Sequence, residues 1–291
     1  LRGGCKLVDV QPDDKSLTVT IRDGHRGRTE VFKTQTLIGA DGMSSRVAKT
    51  IGANGHATTP LLQAIVELPK GSPTGTTQVW FEPADTPYFY WLIPQSPTHA
   101  AVGFIAEEGK TARGRLERFL GRIGLQAVDM QSARIPSYSL ATQSWRKLSG
   151  ADVYLIGDAA AQVKVTTVGG LVTGLRGAKA AAHAILRRSD YLRELKPLRR
   201  ELGLHLLIRS LMNGFTAQDY DRLLGLLNEK TIHLLGRYNR DQAARMVYRL
   251  LVAQPRLLQF GASFALSYWR QSLQQRSRGQ NKFIESASDS G

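Results

Sequence analysis

One stretch of the chain carries the strongest signal for its fold. It reads Val153-Tyr-Leu-Ile-Gly157-Asp158-Ala-Ala-Ala-Gln-Val-Lys-Val-Thr-Thr-Val-Gly169-Gly170-Leu-Val-Thr-Gly174. Its apolar start predicts a buried strand that ends at Gly157, where the missing Cβ lets a ligand approach the backbone. Asp158 follows and can accept hydrogen bonds from hydroxyl groups. The amides near Gly169 and Gly170 open a helix, and the positive end of a helix can donate to a pyrophosphate or to an electron-rich ring edge. This order of strand, acidic turn and small-residue helix predicts a flavin site.

Two further blocks of sequence belong with that stretch. Thr36-Leu-Ile-Gly39-Ala-Asp41-Gly42-Met-Ser-Ser-Arg-Val47 places an Asp-Gly pair after a second predicted strand, and Phe89-Tyr-Trp91-Leu-Ile93-Pro94 is an aromatic run. Together the three blocks resemble the FAD-dependent geranylgeranyl reductases, a branch of the flavoproteins built like p-hydroxybenzoate hydroxylase. The aromatic run is similar to the Tyr-x-Trp-x-Phe-Pro signature of those reductases, with Phe89 in place of Tyr and Ile93 in place of Phe.

The sequence also departs from the pattern of that family. Val165 stands where the family usually has Pro, and Val168 stands at the first Gly of a glycine run. Flavoproteins of this kind begin with a strand, a Gly-x-Gly-x-x-Gly turn and a helix that hold the ADP half of FAD. No such turn occurs in the 291 residues, so we expect the sequence to cover only the later part of the family's length.

The resemblance implies FAD as the cofactor and two sets of site residues. The implied cofactor-binding residues are Asp41, Gly42, Gly157, Asp158, Ala159, Gly169 and Gly170. The implied substrate-binding residues, which would form an apolar wall, are Phe89, Trp91, Ile93 and Pro94. The implied reaction reduces isoprenoid double bonds of the geranylgeranyl type in a lipid or a prenyl diphosphate, with NAD(P)H or a ferredoxin-like protein as electron donor. No metal site is expected, and the sequence names no proton donor.

Other interpretations of these residues stay open. A flavin-dependent monooxygenase or halogenase could use the same scaffold, since halogenases carry a similar Trp-x-Trp-x-Ile-Pro signature that matches Trp91, Ile93 and Pro94. A truncated lipid-binding protein without catalytic activity is a third interpretation. Asp41 could instead cap the following helix through its carboxylate, as could a neighbouring serine, and the aromatic run could simply pack within a sheet.

The net charge of the chain gives information about its binding partners rather than about its fold. The chain has 39 Lys and Arg against 24 Asp and Glu, a formal net charge of +15. Such an excess favours anionic partners, and the cluster within residues 187–200 predicts peripheral contact with an anionic membrane or a pyrophosphate. No nucleic-acid motif accompanies the charge, so nucleic acid is not an expected partner. The single Cys5 excludes an internal disulfide, and no apolar run is long enough to span a membrane. We therefore expect a cytoplasmic protein.

These patterns predict an α/β (α+β) protein: part of a Rossmann-like FAD-binding domain, an antiparallel β-sheet substrate domain and a C-terminal helical region. The predicted boundaries are 1–50 for the first part of the FAD-binding domain, 51–150 for the substrate domain, 151–189 for the return to the FAD-binding domain, 190–270 for the helical region and 271–291 for a disordered tail. Strands are predicted at 7–10, 17–21, 30–32, 36–39, 61–68, 76–81, 88–93, 100–105 and 153–156, and helices at 111–122, 170–187, 204–212, 223–235 and 246–258.

Overall fold

The computed structural model describes residues 2–53, 56–238 and 243–261. The chain forms two compact units, Leu1–Arg209 and Ser210–Gly291. The strands of the first unit are β1 (Cys5–Asp13), β2 (Ser16–Asp23), β3 (Thr29–Thr34), β4 (Thr36–Gly39), β5 (Thr58–Glu67), β6 (Gln78–Trp80), β7 (Tyr90–Pro94), β8 (His99–Ile105), β9 (Ala127–Pro136), β10 (Trp145–Leu148) and β11 (Ala151–Leu155). The helices of the chain are α1 (Arg46–Thr50), α2 (Gly109–Arg122), α3 (Leu171–Arg187), α4 (Tyr191–Met212), α5 (Ala217–Gly225), α6 (Glu229–Arg237) and α7 (Ala243–Ala253).

The two glycine-containing blocks of the sequence end neighbouring strands of one sheet. Strand β4 pairs in parallel with β11, so that Gly39 lies opposite Leu155, and β10 pairs antiparallel with the other edge of β11. Parallel neighbours end at the same edge of a sheet, and open α/β sheets bind ligands outside the carboxyl ends of their strands. Residues 40–42 and 156–158 therefore meet at one edge. The strands β1, β2 and β3 form a separate antiparallel sheet.

The predicted substrate domain contains a five-stranded antiparallel sheet in the order β6-β7-β8-β5-β9. Helix α2 covers one face of it, where the Tyr90 ring stacks on Phe119 and Phe104 at centroid distances of 4.0 and 4.7 Å. Side chains alternate along a strand, so the neighbours Phe89 and Trp91 belong to the opposite face. The predicted strands in this region are confirmed. Strand β9 was not predicted, because most of its residues are exposed and its polar and apolar positions do not alternate.

Helix α3 packs closely on the end of β11 because its inner face carries glycines. A Cβ on Gly174 would lie 3.2 Å from the Cα of Gly157, and a Cβ on Gly177 would overlap the side-chain amide of Gln162. The small face predicted for this helix is confirmed. Behind it, Tyr154, Val165 and Ala181 join Leu195 and Leu202 of α4 in one buried cluster.

The described part of the second unit consists mainly of short helices. Thr216 and Asp219 form a capping box before α5, and the side chain of Asn228 caps α6. The single helix predicted over 223–235 was wrong, because α5 ends at Gly225 and the Asn228 cap starts a new helix. The helix predicted over 246–258 ends at Ala253, ahead of Pro255. Residues 262–291, which include the end of the predicted helical region and the tail predicted to be disordered, lie outside the described residues. Among the described helices, none has the length and apolar character needed to cross a membrane.

Candidate functional site

A cavity of about 580 Å³ lies where β4 and β11 end. Its walls come from the segments 40–42 and 156–158, from the turn that follows β11, from the first two turns of α3, and from Ile135 of β9. Its volume falls within the range of about 300–1,000 Å³ that is usual for small-molecule and cofactor sites. Most of its lining is apolar, and Asp158 is the one charged side chain among the residues that form it. The cavity can therefore hold a largely flat, apolar ring system with few polar contacts.

The backbone at the end of β11 is held in an unusual turn. Gly157 has a φ of +62°, a conformation that a residue with a Cβ adopts only at a steric cost. The buried side chain of Gln162 accepts a hydrogen bond from the Gly157 amide at 2.8 Å, and the Gln162 amide donates to the Gly157 carbonyl at 3.0 Å. Gln162 therefore holds the Gly157 backbone in this turn, while Gly157 still lines the cavity. The sequence analysis missed Gln162, although its position five residues after the glycine was visible.

Asp158 and Gly170 face each other across the cavity wall. A Cβ on Gly170 would lie 3.0 Å from the Asp158 carboxylate oxygen Oδ1 and 3.2 Å from Val163 Cγ2. The Asp158 side chain is exposed, and Gly170 is the N-terminal cap residue of α3. The first amides of a helix have no partner within the helix, so they can donate to a bound anion or ring oxygen. An acceptor and a set of donors thus converge on the same space.

The turn between Gln162 and Gly170 carries strain at one position. Val168 has a φ of +48°, and a β-branched residue in that conformation is a genuine outlier. The reductases that the sequence resembles usually have Gly at this position, and Val168 adopts a conformation that glycine favours. The turn is closed by a hydrogen bond from the Lys164 amide to the Gly169 carbonyl at 3.2 Å. The turn therefore holds a left-handed conformation at Val168 without a glycine.

Asp41 has a different environment from the other predicted cofactor residues. Its carboxylate accepts hydrogen bonds from the Ser45 hydroxyl at 2.5 Å and from the Arg46 amide at 2.7 Å. Ser45 is itself the cap of α1, accepting from the Ala48 amide at 2.8 Å. The carboxylate of Asp41 is thus engaged in capping α1, which was the alternative interpretation. Its neighbour Gly42 does line the cavity, with a φ of +74°.

Of the predicted cofactor residues, the cavity brings together Gly42, Gly157, Asp158 and Gly170. Ala159 is fully buried behind it, and its carbonyl lies 3.1 Å from Nε2 of His56. Gly169 closes the turn through its carbonyl rather than lining the cavity. These roles for individual residues in cofactor binding stay predictions.

Three of the predicted substrate residues, Phe89, Trp91 and Ile93, lie on the face of the five-stranded sheet opposite α2, here called the open face, whereas Pro94 falls on the same face as Tyr90, which α2 covers. Trp91 is buried and lies over Gly103 on the next strand, where a Cβ would come within 2.7 Å of the indole. Phe89 contacts Trp91 edge-to-face at 6.2 Å, Ile93 is exposed, and Pro94 ends the strand opposite Ala100. By register, Trp91 shares a cross-strand row with Gln131, and Ile135 lies on that same face four residues on. None of the four predicted residues is among those that line the cavity itself.

Two tyrosines near the site are held in their neutral form. Burial raises the pKa of Tyr191 to about 12, although the side chain of Gln162 opposes this. Its hydroxyl donates to the Leu155 carbonyl at 2.8 Å, which secures the last residue of β11. Burial also raises the pKa of Tyr88, against the opposing charge of Arg209, whose guanidinium lies 4.6 Å from the ring centroid. Neither tyrosine is charged at neutral pH.

A parallel strand pair with a glycine corner, an acceptor carboxylate and an open helix N-terminus defines a nucleotide-cofactor site of the flavoprotein class. Residues 2–187 match the family model described as FAD binding domain. The chain belongs to this FAD-binding family, and its cofactor is FAD. The site fits that group, because the cavity is apolar on its walls, has donors at the start of α3 and an acceptor in Asp158, and a Cβ at Gly170 would crowd the Asp158 carboxylate.

Solved structures share the fold at low sequence identity. A geranylgeranyl bacteriochlorophyll reductase-like protein from Thermoplasma acidophilum is 15% identical with a TM-score of 0.65, and the match covers 89% of this chain and 69% of that one. The flavin-dependent brominase Bmp2 is 17% identical with a TM-score of 0.55, covering 84% and 69%. A flavoprotein/dehydrogenase from Cytophaga hutchinsonii is 14% identical with a TM-score of 0.55, covering 79% and 57%. The chain thus spans 57% to 69% of the length of these proteins. The predicted fold class is confirmed.

Proposed function

We propose that this flavoprotein reduces carbon–carbon double bonds of isoprenoid chains, of the geranylgeranyl type, in a lipid or a prenyl diphosphate. The observation that carries the proposal is the open face of the five-stranded sheet. Phe89, Trp91 and Ile93 share that face with Ile135, which also lines the cavity. An apolar wall that continues from a cofactor cavity suits a long hydrocarbon chain. The likeness in fold to a geranylgeranyl reductase-like protein agrees with this assignment.

The chemistry asks two things of the protein. When bound and reduced, FAD supplies a hydride, and the second alkene carbon needs a proton. The residues of this chain must hold the alkene still and keep water away while both are delivered. Trp91 and Phe89 supply rigid apolar contact, and Gly103 leaves the space on the neighbouring strand that the indole occupies. Either NAD(P)H or a ferredoxin-like protein could reduce the cofactor in this proposal.

The direct test supplies geranylgeranyl diphosphate to FAD-loaded protein that has been reduced without oxygen. We expect reoxidation of the flavin together with added hydrogen in the prenyl chain, detected by mass spectrometry. Trp91→Ala should raise the KM for the prenyl substrate with little change in FAD content, while Leu140→Ala, at an exposed site elsewhere, should change neither. A reduced flavin that is stable toward every prenyl substrate would contradict the proposal.

A second candidate is a flavin-dependent monooxygenase or halogenase. It is favoured by the match of Trp91, Ile93 and Pro94 to the halogenase signature and by the likeness in fold to a brominase. Mixing the reduced protein with oxygen, with and without halide and an aromatic acceptor, separates the two candidates. Halogenated or hydroxylated product formed in step with flavin oxidation would favour this second candidate over the reductase.

A membrane-borne substrate would explain a basic surface on the first unit. Helix α4 carries three exposed basic residues at helical spacing, Arg193, Lys196 and Arg200. Near the end of α3, the side chain of Leu186 is 82% exposed. Within the described part of the chain, none of these three basic side chains forms an ion pair. Exposed basic side chains on one helix are typical of a surface that contacts anionic lipid headgroups.

We expect the protein to sediment with anionic liposomes, more weakly with neutral ones, and less as the salt concentration rises. Each Lys or Arg near such a surface contributes about 1 kcal/mol, so Lys196→Glu with Arg200→Glu should weaken binding at least about thirtyfold. The matched control is Arg26→Glu with Arg28→Glu, two exposed arginines in the loop before β3. Neither pair should change FAD content. Equal, salt-independent binding to both kinds of vesicle would contradict a lipid-binding role for this surface.

A further inference from the structure

A row of polar side chains crosses the open face of the five-stranded sheet. Trp91 of β7 lies opposite Gly103 of β8. Gly103 lies in turn opposite Gln63 of β5, and Gln63 lies opposite Gln131 of β9. Apolar residues of the neighbouring rows flank it on the same face, namely Leu61, Ile105 and Ala133 on one side and Ile65, Ala101 and Ile93 on the other. An indole and two side-chain amides therefore interrupt a mostly apolar surface.

The indole of Trp91 brings a buried hydrogen-bond donor to this row. Trp91 is 8% exposed, and its Nε1 has no hydrogen-bond partner within the described part of the chain. The ring carbon Cζ2 is on the same edge of the indole as Nε1, and it would lie 2.7 Å from a Cβ on Gly103. The donor edge of the ring therefore lies over β8, on the side of Gln63. Most buried polar groups in proteins are paired, and a ligand oxygen would supply the partner that Nε1 lacks.

The two amides of the row have a fixed direction. The carboxylate of Asp129 can only accept hydrogen bonds, so its contact with Gln131 at 3.4 Å requires Nε2 of Gln131 to face it. Oε1 of Gln131 then accepts from Nε2 of Gln63 at 3.0 Å. This order leaves Oε1 of Gln63 as an acceptor to which no described residue donates. The row thus offers one donor, at Trp91, and one acceptor, at Gln63.

The charges on the open face disfavour an anionic group at this row. Among the described residues of the five strands, none that the register places on the open face is Lys or Arg, although the whole chain has a net charge of +15. The acidic side chains on this face are Asp129 and Glu67, and both are exposed. Proteins hold phosphate groups mainly with Lys, Arg and helix N-termini. The row is therefore suited to a neutral oxygen rather than to a diphosphate.

We propose that Trp91 and Gln63 form a subsite for a hydroxyl group of the prenyl substrate. The inference rests on the proposed reductase function, and it narrows the substrate from a lipid or a prenyl diphosphate to an isoprenoid chain with a free hydroxyl. A hydroxyl both accepts and donates, so it matches Nε1 of Trp91 and Oε1 of Gln63 together. Gln63 is partly buried and has a flexible side chain, so a small shift of it admits the hydroxyl to the indole edge. Both residues determine specificity, and neither takes part in bond formation.

Binding to the oxidised, FAD-loaded protein tests the subsite without turnover. The probes are geranylgeraniol, the matching hydrocarbon in which hydrogen replaces the hydroxyl, and geranylgeranyl diphosphate, each titrated by calorimetry in the same nonionic detergent. We expect geranylgeraniol to bind about tenfold more tightly than either of the other two, as one net hydrogen bond allows. Equal affinities for the alcohol and the hydrocarbon, tighter binding of the diphosphate, or no binding of the alcohol would each overturn the proposal.

Substitutions assign the preference to the row. Trp91→Phe keeps an aromatic ring and removes the donor, and Gln63→Leu removes the acceptor. Each should lower the affinity for geranylgeraniol about tenfold and leave that for the hydrocarbon unchanged, whereas a purely structural role would change both. The matched control is Trp80→Phe, because Trp80 packs against Phe119 on the opposite face of the sheet, and it should keep the preference for the alcohol.

The outcomes for the subsite and for the reaction are separable. An undiminished preference for the alcohol in Trp91→Phe would overturn the role of Nε1, even if the prenyl chain is reduced. If geranylgeraniol binds through Trp91 and Gln63 but is never reduced, the proposed function fails while the hydroxyl subsite stands.

Discussion

The Gly170→Val protein is expected to fold and to lose FAD. Gly170 has a φ of −106° and a ψ of −18°, which valine can adopt, so the backbone tolerates the change. Gly170 lines the cavity and a Cβ there would lie 3.0 Å from Asp158 Oδ1, so the valine side chain competes for space at the cavity wall. Such a contact displaces a ligand that packs against the backbone. We expect the affinity for FAD to fall at least about a hundredfold, a loss of about 2.8 kcal/mol.

The measurement is a titration of apoprotein with FAD, followed by flavin absorbance and fluorescence. The control is Gly121→Val, because Gly121 lies within α2 and a Cβ there would meet no atom within 4 Å. Both variants should give the same circular dichroism spectrum as the unmodified protein. An unchanged flavin spectrum and affinity in Gly170→Val would mean that the start of α3 does not touch the cofactor.

Asp158→Ala is expected to weaken FAD binding by about 1.5 to 3 kcal/mol, which is about 10- to 150-fold in affinity. Asp158 is the charged side chain in the cavity wall, and as a carboxylate it is an acceptor only. We expect its removal to take away a charge-assisted hydrogen bond to a hydroxyl of the cofactor. The folded protein should not suffer, because the side chain is exposed.

Two variants sharpen this test. Asp158→Asn keeps an acceptor oxygen at the same place, so it should lose less affinity than Asp158→Ala. Asp14→Ala removes an exposed carboxylate in the β1–β2 turn and should have no effect. Full retention of flavin by Asp158→Ala on dilution would remove Asp158 from the binding site.

The sequence predicts those parts of the fold that depend on residues close together in the chain. The run that ends at Gly157, the Asp-Gly pair after β4 and the glycine spacing of α3 each reflect a local physical requirement, namely burial, a turn and close packing. The sequence analysis assigned both strands to the FAD-binding domain but did not predict that they pair in parallel, with Gly39 opposite Leu155. The cavity forms between the Asp41-Gly42 and Gly157-Asp158 motifs, because each motif stands at the end of one of these paired strands.

What the sequence does not predict depends on distant contacts. Strand β9 is mostly exposed, so its sequence lacks the alternation of apolar and polar residues that predicts a strand. Its residue Ile135 nevertheless lines the cavity. Gln162 gains its role only because α3 carries Gly177 opposite its amide. His205 meets Thr166 across 39 positions of sequence. The function of Asp41 was open for the opposite reason, since one carboxylate can cap a helix or bind a ligand, and only its contacts distinguish the two.

The central claim is that FAD binds where β4 and β11 end, against the start of α3. Amide hydrogen exchange, followed by mass spectrometry with and without FAD, tests it most directly. The account predicts that FAD slows exchange in peptides covering residues 40–42 and 157–171, with little change in α2 or in the β1–β2 hairpin. Gly170→Val should abolish that protection. Protection by FAD that spares residues 157–171 and appears elsewhere in the chain would contradict the account.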